Sequence, residues 1–289
     1  MCSILSWSGR LPQGLLTNLI RKSEIRGKDS TGVGFRALDK GVTKTWQYRA
    51  AERPSDFLKS DMAKQYLGTA RRSLIGIAHT RHASPGMPVD EENAHPFAYW
   101  RLLFAHNGRV ENWKDLKTQL SEHFAVEAAR LKLEGQESAS IKAIGCKKYM
   151  DETETDSKVL GPYINARNFD MVEGCMALVW IQSENVYTFR YGKEAIAAEI
   201  VWSQIDKKPE TKLDEDLGES RVTVVASTAD ILVSALDTIK DTVAVSSIRF
   251  QAFEEKHVYR IEPTGLVDEG EVPVNVQAHE DQFSSEVVV

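Results

Sequence analysis

Short apolar runs punctuate this chain and predict strands. They stand at Ser3–Trp7, Val33–Leu38, Thr43–Arg49, Leu74–Thr80, Leu102–His106, Met176–Gln182, Val186–Tyr191, Ala195–Trp202, Val222–Ala226, Val243–Phe253 and His257–Ile261. The turn Asp39-Lys40-Gly41 joins the second and third into a hairpin. Stretches with a helical pattern run over Leu11–Glu24, Pro54–Leu67, Trp113–Phe124, Asp156–Ile164 and Ala229–Asp237. In the first, Leu15, Leu16, Leu19 and Ile20 fall on one side. The helices come in groups rather than after every strand. That excludes a regular βαβ rhythm and points to α+β, or a layered sandwich of sheets and helices.

Three segments break the pattern. Gln204–Ser220 is charged and turn-rich, so a loop is expected. Ala125–Met150 is mixed in charge and weakly patterned, and reads as an insertion. Val267–Val289 carries six acids and no lysine or arginine, and reads as a flexible tail.

Charge and cysteine content narrow the classes. A net charge of −6 argues against nucleic-acid binding, which needs a basic face. Three cysteines without paired spacing do not form a disulfide framework. No basic segment leads into an apolar run at the N-terminus, and no run approaches the roughly 18 residues of a membrane helix. A cytoplasmic location is the expectation, with no membrane partner. His79, His82, His95 and His106 match no zinc-ligand spacing, and no phosphate-binding glycine loop is present. Neither metal nor cofactor is expected. Cys146 and Cys175 read as buried thiols.

Four stretches and one residue carry candidate chemistry. Cys2 follows the initiator Met1, as either a small apolar residue or a nucleophile. RGKDSTG, Arg26 to Gly32, is either a polar turn or part of a site. GIAHTRHASPG, Gly76 to Gly86, sets His79, Thr80, Arg81, His82 and Ser84 where a buried strand ends. Arg81 offers a rigid fork of donors suited to a carboxylate. FAHNGRVEN, Phe104 to Asn112, contains an Asn-Gly pair that reads as a tight turn. The same pair could present the Asn107 amide and the Gly108 N–H as an oxyanion hole. TETDSKVL, Thr153 to Leu160, offers Thr155 or Asp156 as a helix cap, or Asp156 as a carboxylate for an ammonium.

Together, and in this order behind an N-terminal cysteine, these stretches resemble the class II glutamine amidotransferase domain, an N-terminal-nucleophile hydrolase. The likeness is to the glutaminase domain of glucosamine-6-phosphate synthase. It rests on RGKDSTG, GIAHTRHAS, NAHPF (Asn93–Phe97), HNGRVEN and ETD, and covers roughly residues 2–265, with the insertion at about 125–150 as an extra. The resemblance implies a four-layer αββα fold, with residues 266–289 as the acidic tail. It also implies hydrolysis of the glutamine side-chain amide.

By the same resemblance, removal of Met1 makes Cys2 the first residue. Its thiol attacks the amide and its own α-amine is the base. An α-amine titrates near about 8 and a thiol near about 8.5, so one can take the other's proton near neutral pH. Asn107 and Gly108 would stabilise the oxyanion. Arg81 would hold the α-carboxylate and Asp156 the α-ammonium of glutamine. Gly108, His82 and Ser84 would complete the substrate pocket, with Arg26, His79 and His106 in support. After residue 265 too few residues remain for a synthase domain, so an ammonia-accepting synthase on another chain is the implied partner. His82 stands where the family usually carries tryptophan, and Pro85 where histidine is frequent. Those departures leave open a hydrolase of another γ-glutamyl amide. A binding or regulatory protein with little catalysis is a third possibility.

Overall fold

Strand β1 (Ser3–Gly9) is buried along its whole length. Side chains alternate sides along a strand. Leu5 and Trp7 join one apolar core, and Ile4 joins another. A strand buried on both faces needs a layer above and a layer below, and the chain supplies both.

The computed structural model describes residues 1–83, 89–205 and 219–274, which form two compact units. The larger holds Met1–Gly108 and Met176–Glu271. Its first sheet runs in the order β11 (Val243–Gln251), β9 (Ile196–Gln204), β10 (Ser220–Ala226), β1, β4 (Ile75–Arg81), β2 (Ser30–Asp39), β3 (Val42–Ala50). The second runs β13 (Gly265–Glu271), β12 (His257–Glu262), β8 (Asn185–Tyr191), β7 (Gly174–Gln182), β6 (Leu102–Val110), β5 (Phe97–Tyr99). Ile4, Ile77 and Val225 of the first sheet pack with Leu103, Val179 and Ile261 of the second. The other face of the first sheet is covered by α1 (Leu15–Lys22), α2 (Pro54–Phe57), α3 (Asp61–Ala70) and α7 (Ala229–Asp237). Leu19, Phe57, Leu67 and Leu232 meet Leu5, Trp7 and Phe35 there. Each such large side chain contributes about 1.5–3 kcal/mol by leaving water.

One close approach fixes the centre of the first sheet. Trp7 pairs with Gly76, and a Cβ on Gly76 would lie 2.0 Å from the indole ring. The glycine is there because the ring of Trp7 occupies its side-chain space.

The smaller unit contains Arg109–Cys175 and is helical. Helices α4 (Trp113–Leu133) and α5 (Glu137–Asp151) are joined by a turn in which Gly135 takes φ 74°. A thin seam holds them together. Ala128, Leu131 and Ala143 pack, and the Ser140 hydroxyl donates to the Ala128 carbonyl at 2.8 Å. So the weakly patterned stretch from 125 to 150 is two helices. A seam of alanine, serine and one leucine leaves little apolar periodicity to read. Helix α6 (Leu160–Ala166) starts four residues later than the pattern suggests.

Other differences are local. The expected helix over 54–67 is two helices, with Ser60 capping the second by accepting from Ala63 N–H. Residues 266–271, expected in a tail, pair with β12 as β13. Ser84, Pro85, residues 206–218 of the expected loop and residues 275–289 of the expected tail lie outside the described residues. Among the described residues no helix is long and apolar enough to cross a membrane.

Candidate active site at one end of the first sheet

Register brings three of the sequence motifs together. β4 lies between β1 and β2 and is antiparallel to both. Ser3 pairs with Thr80 across one side, and Ser30 pairs with Arg81 across the other. The starts of β1 and β2 therefore coincide with the end of β4. Cys2, the RGKDSTG turn and His79–His82 share that end. The turn lies tight on β4, for a Cβ on Gly27 would be 2.3 Å from the Thr80 carbonyl oxygen. The Thr80 and Ser3 hydroxyls both reach Ser23, at 3.2 Å each, which ties the end of α1 to the same place.

Cys2 is held by main chain. The His82 N–H donates to Cys2 Sγ at 3.3 Å, and the thiol can donate to the His82 carbonyl at 3.6 Å. Arg26 Nε donates to the Cys2 carbonyl at 3.2 Å, and its Nη2 lies 3.8 Å from Met1 Sδ. The His82 ring points elsewhere, with Nδ1 3.0 Å from Asp29 Oδ2. Arg81 and Asn107 are both buried.

Asn107 and Gly108 do not form the expected tight turn. Both stay inside β6, and Gly108 takes φ 148°, a conformation that favours glycine. The neighbouring strands meet through histidines. His79 Nε2 lies 3.0 Å from the His106 carbonyl, and the His95 ring sits against His79 with centroids 4.1 Å apart. A carbonyl only accepts, so Nε2 carries the hydrogen. Burial lowers the His79 pKa to about 3 and holds His95 well below the usual histidine range. His95 also comes from NAHPF, where Gly32 is pressed against its carbonyl. Among the described residues no group of three or more His, Cys, Asp or Glu is arranged to hold a metal ion.

Asp156 belongs to the helical unit. It caps no helix. Its Oδ2 accepts from the Val110 N–H at 3.1 Å, and Ser157 Oγ lies 3.4 Å from Oδ1. Cys146 and Cys175 are buried and unbridged. Two residues at the sheet end were not singled out as site residues from sequence. Asp29 joins His82 and the Ala83 N–H, and His95 packs on His79. The only advance signal for Asp29 was a carboxylate inside a glycine-flanked turn.

The arrangement can present a half-buried thiol to a substrate at the end of the central strands, with an N–H already on the sulfur. Comparison with known proteins gives it a context. No family model matches the chain. The glutamine--fructose-6-phosphate aminotransferase [isomerizing] of Rhizobium meliloti (strain 1021) is 38% identical over 122 residues, 42% of this chain and 18% of that protein. The protein of the same name from Mycobacterium tuberculosis (strain ATCC 25618 / H37Rv) is 34% identical over 123 residues, 42% of this chain and 19% of its own. This chain thus spans about a fifth of the length of these curated relatives. Among solved structures, glutamine phosphoribosylpyrophosphate (PRPP) amidotransferase from B. subtilis, complexed with ADP and GMP, superposes with TM-score 0.50 at 14% identity. It covers 93% of this chain and 49% of that one. The allosteric regulatory enzyme of purine biosynthesis superposes with TM-score 0.52 at 16% identity, over 93% and 48%. The chain shares its fold with these two structures. It is α+β, built on two antiparallel sheets with helices, as the pattern of strands and helices implies.

Proposed function

We propose that this chain is a glutaminase, hydrolysing the side-chain amide of glutamine through Cys2. The observation that carries the reading is the strand register that sets Cys2 beside Arg81 and the RGKDSTG turn. The names of the curated relatives support glutamine as the nitrogen donor.

The steps follow from the residues. With Met1 removed, the α-amine of Cys2 takes the thiol proton. The thiolate attacks the amide carbon, and the Asn107 amide and Gly108 N–H stabilise the oxyanion. The ammonium returns its proton to the leaving nitrogen, so ammonia departs and a γ-glutamyl thioester remains. Water then attacks the thioester, giving glutamate and the free thiol. Arg81 binds the substrate α-carboxylate, and Asp156 its α-ammonium. His82 and Ser84 contribute to the pocket, and Arg26, His79 and His106 support it. The ammonia passes in the cytoplasm to a synthase on another chain, with the insertion at about 125–150 or the acidic tail as the segment that docks it.

A second reading keeps the chemistry and changes the substrate to another γ-glutamyl amide. His82 favours it, because its ring is committed to Asp29 rather than closing over a substrate.

The test is the mature mass, followed by glutamate release from glutamine for wild type and Cys2→Ala. Loss of Met1 and Cys2-dependent glutamate release support the glutaminase. Retained Met1 with no Cys2-dependent turnover, even with candidate synthases added, overturns both readings. Strong preference for a different γ-glutamyl compound selects the second.

A further inference from the structure

Asp29 closes a small ring of contacts around the end of β4. Its own N–H donates to the Arg81 carbonyl at 2.9 Å. Its Oδ2 accepts from the Ala83 N–H at 2.8 Å and pairs with His82 Nδ1 at 3.0 Å. Residues 81, 82 and 83 are thus each tied to one aspartate. The middle residue of the three is the one whose N–H and carbonyl both lie against Cys2 Sγ.

We propose that Asp29 is a positioning residue for the Cys2 thiol, acting through the main chain of His82. The inference rests on Cys2 being the nucleophile. After β4 ends, nothing in strand pairing fixes the direction of the chain. The Asp29 carboxylate fixes it by two contacts, one to main chain and one to a ring. The His82 N–H then faces the sulfur at a set distance. An N–H donor stabilises a thiolate more than a thiol, so this contact favours the reactive form.

The charge of Asp29 acts in the opposite sense. A nearby carboxylate disfavours a thiolate. The two roles therefore predict opposite signs when Asp29 is replaced. As a mere neighbouring charge, its removal would make the thiolate easier to form. As a positioning residue, its removal loosens residues 82 and 83, loses the N–H on the sulfur and makes the thiolate harder to form. The other charged or titratable groups near the thiol are Arg26, Arg81, His82 and the chain's own amine, and the Asp29 variants keep all four.

The experiment is the pH profile of Cys2 alkylation by iodoacetamide, read by mass spectrometry on full-length protein confirmed to lack Met1. Wild type, Asp29→Ala, Asp29→Asn, Asp29→Glu and His82→Gln are compared, each checked for an unchanged far-UV spectrum. The expected result is a rise in the apparent thiol pKa for Asp29→Ala, with alkylation at neutral pH slowed about tenfold for one unit. Asp29→Asn keeps an acceptor for Ala83 and loses only the charge on His82, so it and His82→Gln show smaller shifts. Asp29→Glu recovers part of the wild-type rate. If Asp29→Ala does not fold, the signs for Asp29→Asn and Asp29→Glu decide. An unchanged or lowered thiol pKa across the folded variants overturns the proposal. The readout needs no substrate. Failure of wild type to hydrolyse glutamine would overturn the glutaminase reading and leave this result standing.

Discussion

The imidazole of His79 reaches from β4 in the first sheet to the main-chain carbonyl of His106 on β6 in the second, at 3.0 Å. His106 directly precedes Asn107 and Gly108, the proposed oxyanion donors. One buried hydrogen bond therefore joins the strand that ends beside Cys2 to the strand that carries those donors. Replacing His79 with leucine removes the donor from a buried carbonyl, at about 1–3 kcal/mol. The expected kinetic result is a lower kcat with KM nearly unchanged, since substrate clamps are untouched. His79→Gln can still donate to the same carbonyl and should recover most of kcat. Steady-state glutamate release for the two variants checks this, and equal losses would sink it.

The Trp7–Gly76 contact makes a separate prediction about stability. Trp7→Ala empties a fully buried site between β1 and the helices, and core Trp→Ala changes cost about 3–5 kcal/mol. Gly76→Val should be similarly damaging, because its Cβ would meet the indole at 2.0 Å. The double variant Trp7→Ala/Gly76→Val should be more stable than the sum of the two, since the new side chain enters the space the ring leaves. Urea unfolding midpoints of the four proteins measure the coupling. Strict additivity would show that the two residues do not share that space.

Much of this could be read from the chain alone. Strands such as Met176–Gln182 are apolar because both faces are covered, and such runs identify themselves. β13 does not, because an edge strand holding Asp268, Glu269 and Glu271 is defined by its partner β12 and not by its own apolarity. Asn107-Gly108 reads as a turn because the dipeptide favours one locally, yet pairing in the second sheet keeps it extended. The residue types of the site were visible as motifs. What the chain could not show is register: nothing in Ser3, Ser30 and Thr80 says that they end at one place. Asp29 went unassigned for the same reason, as its partners His82 and Ala83 are more than fifty residues away.

The proposed substrate contacts separate binding from chemistry. Asn107→Ala removes one oxyanion donor, which typically costs about 10²–10³ in kcat. Asp156→Asn should instead raise KM for glutamine about tenfold or more, with a smaller effect on kcat. The asparagine oxygen can still accept from the Val110 N–H, so the local fold is kept while the charge is lost. A KM unchanged by Asp156→Asn would remove the ammonium role from that residue.

The buried histidines make stability depend on pH. In the folded chain burial lowers the His79 pKa to about 3, and His95 is displaced in the same direction. In the unfolded chain both titrate near about 6.5. Between those values the unfolded state binds more protons than the folded one, so unfolding free energy falls as pH falls. The stability these groups contribute is complete above the unfolded pKa and is lost progressively as pH drops toward about 3. Each neutral buried histidine adds a slope of about 1.4 kcal/mol per pH unit within that window. Carboxylates add their own acid sensitivity, but that background is common to wild type and variant. Urea unfolding at pH 7, 6, 5 and 4 should therefore give a shallower loss for His79→Gln than for wild type, with the difference opening below about pH 6.5. Parallel curves across the whole range would mean that His79 takes up its proton without unfolding.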